Sequence, residues 1–235
     1  MMVRRTKEQI RLDRMQQDEH PLRAHPAIAG AVLALAVSTA CADSRDDETT
    51  LTNLYTEVAS SVANDKLNLQ GVHTEEAPDP FSSPIAMGLL RSANQCVLIL
   101  NVRSNPAFHM VIDLSGASTE VKERTIIAHE MGHCEHQSKP WPIPFVIDSH
   151  SSELYGDLFA LAWTAKYHPA DFEGAYKFLH HVRTRFTRGD DDPHPRASEL
   201  ARAKDLVSVV GDQESAAEVA MRALQTMLMR AKCPN

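Results

Sequence analysis

The segment "IIAHEMGHCEH", residues 126–136, constrains the fold of this chain more than any other, because it contains the pattern His-Glu-x-x-His. In an α-helix, positions i and i+4 differ by about 40° around the axis and about 6 Å along it. His129 and His133 would therefore project side by side from one helix. Apolar residues occupy the opposite side, where they would anchor the helix in a core: Ile127, Met131 and Cys134.

The spacing of these two imidazoles suits a single Zn²⁺ ion, and the adjacent Glu130 could accept a proton from water at the metal. A catalytic zinc site of this kind needs a third protein ligand. Glu153 stands 20 residues after His133, and Asp157 follows it one helical turn later. We predict one zinc ion per chain, bound by His129, His133 and Glu153. Asp157 would accept the free N–H of one ligand imidazole.

Two other histidines are rivals of Glu153 for the third position. His136 shares the face of His129 but lies seven residues along, about 10.5 Å of helix rise, which is too far for one tetrahedral ion. His150 falls in a predicted loop and is the weaker rival. The run Asp190–Asp192 is more typical of a solvated loop than of a second metal site.

The patterns around this segment predict an α+β fold that is mostly α, with a small sheet before the motif helix and a helical C-terminal half. Residues 95–102 and 108–114 are β-branched and aliphatic runs that predict two strands of the small sheet, paired as a hairpin. Residues 43–50 are predicted as an acidic linker and residues 71–84, with three prolines, as a loop. Hydrophobic spacing and capping residues predict helices at 51–65, 118–136, 152–167, 170–186, 196–210 and 212–232.

The N-terminal segment predicts export. Arginines and a lysine precede an uncharged run at residues 27–42, which is shorter than the roughly 20 residues that span a bilayer. Ala40 and Ala42 offer a cleavage site, Cys41 could instead be lipidated, and an uncleaved anchor is the third alternative. We therefore expect a leader or anchor at 1–42, a single catalytic domain at 43–235, and a periplasmic or membrane-associated location.

The remaining composition limits partners and redox chemistry. A formal net charge of -7, with no basic cluster after residue 24, argues against nucleic-acid binding. Export would permit a disulfide among Cys96, Cys134 and Cys233, whose pairing the sequence does not give. The pattern alone favours a buried structural thiol at Cys134.

Three segments resemble the zinc metalloendopeptidases that include HtpX and the CaaX prenyl protease, within the wider gluzincin group: "IIAHEMGHCEH", "ELYGDLFALAWTAKYHPADFEGAYKFL" and "DDPHPRASELARA". The resemblance implies a zincin-like core and a role for His194 as a donor to the oxyanion; without it, His194 is a loop histidine. Gly156 stands where the family has Ala, from which we expect no harm. Leu200 stands where the family has Arg, with Arg196 and Arg202 nearby.

The resulting hypothesis is a peptidase that cleaves a peptide or protein substrate with zinc-activated water and Glu130 as general base. The alternative is a catalytically inactive, zinc-stabilised interaction or assembly factor of the cell envelope. Such a factor would need the metal ligands but not Glu130. A helical protein without metal is the third reading.

Overall fold

A computed structural model describes residues 44–62, 68–74, 85–90, 95–100, 105–138, 148–187 and 192–232. The predicted leader at 1–42, including Cys41, lies outside these residues, as do Asp190 and Asp191. As predicted, the described part of the chain is mostly helical. Its helices are α1 (Ser44–Val62), α2 (Pro106–Ile112), α3 (Thr119–Ser138), α4 (Ser149–Tyr167), α5 (Phe172–Phe186), α6 (Ala197–Val207) and α7 (Ala216–Lys232), with a 3₁₀ turn at Pro169–Asp171.

A three-stranded sheet lies between α1 and α2 in the sequence. Its strands are β1 (Asn68–Thr74), β2 (Ile85–Leu90) and β3 (Gln95–Leu100), in the spatial order β1-β3-β2. β3 is antiparallel to β2, with Ile85 opposite Leu100, and parallel to β1. β2 also packs against α3, so the sheet lies beside the motif helix.

The predicted hairpin between residues 95–102 and 108–114 is wrong. The first segment contains β3, but the second is helical and forms most of α2. Asn105 caps this helix, because its Oδ1 accepts a hydrogen bond from the backbone N–H of Ala107 at 3.0 Å. Pro106 fits the first helical position, where no backbone N–H is needed. These capping residues outweigh the β propensity of the short run that follows.

Two further predictions from the first half of the chain need correction. The acidic stretch at 43–50 was predicted as a linker, but α1 begins at Ser44. Residues 71–74 of the predicted loop belong to β1. Both stretches are polar, and local composition alone does not separate regular structure from loop.

The core lies between α1, α3, α4 and α7. α4 is its centre, since it packs against α3, α5, α6 and α7 and buries most of its length. Trp163 on α4 is 1% exposed and donates its indole N–H to Ser61 Oγ of α1 at 2.5 Å. Among the helices that the structure describes, none combines the length and apolarity of a membrane-spanning segment.

The crossing of α3 and α4 is close because glycines meet there. A Cβ on Gly132 would lie 3.0 Å from both the Cα of Gly156 and the Cβ of Phe159. Gly132 therefore allows the two helices to pack closely. Cys134, two residues after Gly132, is fully buried, as predicted, but it is disulfide-bonded rather than a free thiol.

Candidate metal centre

Two imidazoles of α3 face each other at the buried end of the site. The Nε2 atoms of His129 and His133 are 3.1 Å apart, and the rings meet edge to face with centroids 4.7 Å apart. The i,i+4 spacing in one helix produces this arrangement. Glu130 follows His129 on the same helix and is partly exposed.

Glu153 enters the same space from the first turns of α4. Its Oε2 is 3.4 Å from His129 Nε2, and its Oε1 is 3.5 Å from His133 Nε2. The ligand atoms of the three residues lie within 4.8 Å of one another. The structure thus brings together the three predicted ligands, and the group they form could hold a metal ion.

The pKa values of these three residues are shifted by burial and by one another. Burial lowers the pKa of His129, but hydrogen bonding to Asp157 and Glu153 outweighs it and raises the pKa to about 10. Burial and the charge of His129 lower the pKa of His133 to about 4. Burial raises the pKa of Glu153, but its hydrogen bond with His129 and the nearby positive charges outweigh burial, so the pKa lies well below its ordinary value. His129 is thus the residue of this group that holds a proton, and a cation bound by the same atoms would compete with it.

Asp157 lies behind His129, as its position one turn after Glu153 predicted. Its side chain is fully buried, and its Oδ1 is 2.9 Å from His129 Nδ1. When a metal replaces the proton on Nε2, a proton on Nδ1 would lie on the Asp157 side of the ring and leave the Nε2 lone pair on the side of Glu153 and His133. Asp157 therefore orients the ring in the way that metal binding requires.

Arg183 is a residue of the site that the sequence did not reveal. It lies on α5, its side chain is 8% exposed, and its Nε and Nη2 donate to the two carboxylate oxygens of Asp157 at 2.8 and 2.7 Å. Burial raises the pKa of Asp157, but the charge of Arg183 and hydrogen bonds from Arg183 and His129 lower it to about 2. One signal was present, since Arg183 continues a buried i,i+4 stripe with Ala175 and Leu179.

His133 has its own support from α4. Ser152 Oγ lies 3.2 Å from His133 Nδ1 and 3.3 Å from His136 Nδ1. His136 is buried and stacks on Tyr155, with ring centroids 5.1 Å apart. His136, the rival ligand, is thus outside the metal-ligand group and instead bonds the serine that supports His133.

His150 is also outside the group, and its predicted place in a loop is wrong. It lies in the first turn of α4, where Asp148 caps the helix. Its Nε2 is 3.2 Å from Glu199 Oε1 of α6. This contact joins the first turn of α4 to α6.

His194 reaches the edge of the cluster. Its Nε2 is 3.6 Å from Glu153 Oε2, and its Nδ1 is 2.8 Å from Asp192 Oδ1. The same oxygen accepts the backbone N–H of His194 at 2.9 Å. Asp192 was predicted as part of a solvated loop, but its side chain is only 12% exposed. The short Asp-Pro-His turn folds back on itself and fixes the ring.

Comparisons of the chain with protein-family models, with curated proteins and with solved structures find no match.

Proposed function

We propose that this protein is a zinc-dependent metalloendopeptidase with a zincin-like core. The observation that supports the proposal is the convergence of His129, His133 and Glu153, with Glu130 adjacent on the motif helix. Two imidazoles and one carboxylate form the ligand set of a catalytic zinc site that keeps a position open for water or substrate.

The charges around the cluster favour a bound cation. Asp157, Asp192 and Glu153 supply three carboxylates, and Arg183 supplies one compensating guanidinium. These groups carry more negative than positive charge, which favours a cation in a region that excludes most water. A zinc ion bound here would act as a Lewis acid toward the scissile carbonyl and make a water molecule easier to deprotonate.

Glu130 is the general base of the proposed reaction. It accepts a proton from the attacking water and then donates that proton to the departing amine. The peptide C–N bond breaks and a C–O bond to the water oxygen forms. The products are a carboxyl group and a free amine, and one water molecule is consumed.

His194 stabilises the negative charge that develops on the carbonyl oxygen. The 2.8 Å contact between its Nδ1 and Asp192 Oδ1 directs Nε2 toward the cluster, where it would donate to the carbonyl oxygen. A donor held in place before the reaction stabilises the transition state without reorganisation.

The resemblance to HtpX-like and CaaX prenyl peptidases belongs to this proposal, as does the exported, periplasmic or membrane-associated location. The substrate is a peptide or protein. If the protein binds zinc but cleaves no peptide, the alternative is favoured, which is an inactive assembly factor of the cell envelope that uses zinc only for stability.

Replacement of Glu130 by Gln separates these functions. Glu130→Gln should bind zinc like the wild type and lose cleavage of a peptide library, because the metal ligands remain and the base is lost. Glu120→Gln, exposed on the first turn of the same helix, is the matched control and should cleave normally. Full cleavage by Glu130→Gln would refute the assignment. Zinc binding without cleavage by the wild type would instead favour the assembly factor.

A further inference from the structure

Arg183 is a buried cation, and its ion pairs within the described part of the chain are with Asp157, which is fully buried, and Glu153, which is largely buried. Its guanidinium bonds both oxygens of Asp157, and its Nη2 is 3.8 Å from Glu153 Oε2. Burial lowers the pKa of Arg183, but the charges of three carboxylates raise it more: Asp157, Glu153 and Asp192. Asp157 contacts His129, Glu153 is the third proposed metal ligand, and Asp192 contacts His194.

The geometry of the pair is specific to arginine. Two parallel N–H···O bonds fix the plane of the Asp157 carboxylate, which a point charge such as a lysine ammonium would not do. Oδ1 of Asp157 accepts from Arg183 and also faces His129 Nδ1 at 2.9 Å. The direction of the guanidinium therefore determines where the carboxylate meets the imidazole.

We propose that Arg183 is a positioning residue of the metal centre, which acts through Asp157 on His129 and through its charge on Glu153. This inference rests on the proposed metal site. The position is supplied by α5, whereas the resemblance to known peptidases places an arginine near residue 200, where Leu200 is fully buried in α6.

If the pair of Arg183 and Asp157 were purely structural, its removal would have a different effect on metal affinity. Such a pair would stabilise the contact between α4 and α5 without changing metal affinity beyond its effect on folding. A positioning residue changes metal affinity in folded protein, and its effect depends on Asp157. A double-mutant cycle measures that dependence directly.

The experiment compares wild type, Arg183→Met, Asp157→Asn and the double variant as full-length, folded proteins. The readouts are the zinc dissociation constant, from competition with a chromophoric chelator, and the visible spectrum of bound Co²⁺. Arg183→Met should weaken zinc binding about 10–100-fold and shift the Co²⁺ bands, as loss of an outer partner of a metal ligand does. In the Asp157→Asn background, the same change should weaken binding by no more than about threefold.

Arg185→Met is the matched control, because Arg185 is exposed on the same helix two residues away. It should bind zinc like the wild type. Arg183→Lys keeps the charge without the paired bonds, and it serves as the test if Arg183→Met does not fold. It should bind zinc more weakly than wild type and more tightly than Arg183→Met.

Wild-type affinity and Co²⁺ spectrum in either folded Arg183 variant would overturn the inference, as would full additivity in the cycle. Failure of the wild type to bind zinc would refute the proposed function and this inference with it. The two failures are therefore distinguishable.

Discussion

Gly156 lies directly against the imidazole of His129. A methyl group on its Cα would be 2.8 Å from His129 Cε1 and 2.9 Å from Nδ1. The expectation that glycine at this position is a harmless replacement for alanine is therefore wrong, because an added Cβ would require His129 to shift. In this chain Gly156 makes the space in which the first ligand ring lies.

Gly156→Ala should therefore displace His129 and weaken zinc binding at least about tenfold, measured by chelator competition. The control is Gly174→Ala on α5, whose added Cβ would meet Ala117 and Val121 at an ordinary 3.5 Å. That control should leave zinc affinity unchanged and raise the free energy of unfolding by about 0.4–1 kcal/mol. Unchanged zinc affinity in Gly156→Ala would contradict the close contact.

Ser152 contacts His133, so its loss should weaken zinc binding at the proposed site. Ser152→Ala removes the partner of His133 Nδ1, so the ring loses its fixed orientation. Zinc affinity should fall about tenfold. Ser149→Ala, an exposed change in the same helix, should have no effect. Equal affinities of the two variants would show that Ser152 does not orient His133.

Asp192 should affect turnover without affecting metal content. Asp192→Asn weakens the contact that holds the His194 ring toward the cluster. We expect kcat to fall about 10–100-fold with KM nearly unchanged, because the lost interaction belongs to the transition state. Steady-state kinetics on one peptide, with zinc quantified in the same sample, measures this. A fall in zinc content equal to the fall in kcat would contradict the assignment.

His136 gives the fold a defined pH dependence. Burial lowers its pKa to about 4, whereas an unfolded chain has a histidine pKa near 6.5. The unfolded state therefore binds more protons between these values, so stability is full above about pH 6.5 and falls as the pH drops toward 4. The loss from this group is up to about 3 kcal/mol.

Urea unfolding of the metal-free protein at several pH values measures this dependence. His136→Gln cannot titrate, so its free energy of unfolding should decline less steeply than that of the wild type from pH 6.5 to 4. Parallel curves for the two proteins would show that His136 is not held neutral by its surroundings.

The parts of the site that are local in sequence were predictable. The helical period fixes the relation between His129 and His133, and it likewise fixes Asp157 one turn after Glu153. The meeting of these two helices was inferred from the chemistry that zinc requires, and the structure brings the four residues together.

The parts that depend on packing between distant segments were not predictable. Arg183 was overlooked because an arginine in a helix is usually exposed, and only the fold brings α5 behind Asp157. Asp192 was assigned to solvent because three consecutive aspartates are usually hydrated. Residues 108–114 were misassigned because a short apolar run fits a strand and a buried helix equally well.

The zinc content of purified full-length protein tests the central claim most directly. We predict one zinc ion per wild-type chain by plasma mass spectrometry, and a small fraction of that in Glu153→Gln purified in parallel. No stoichiometric zinc in the wild type, or an equal content in the two proteins, would contradict a metal centre built from His129, His133 and Glu153.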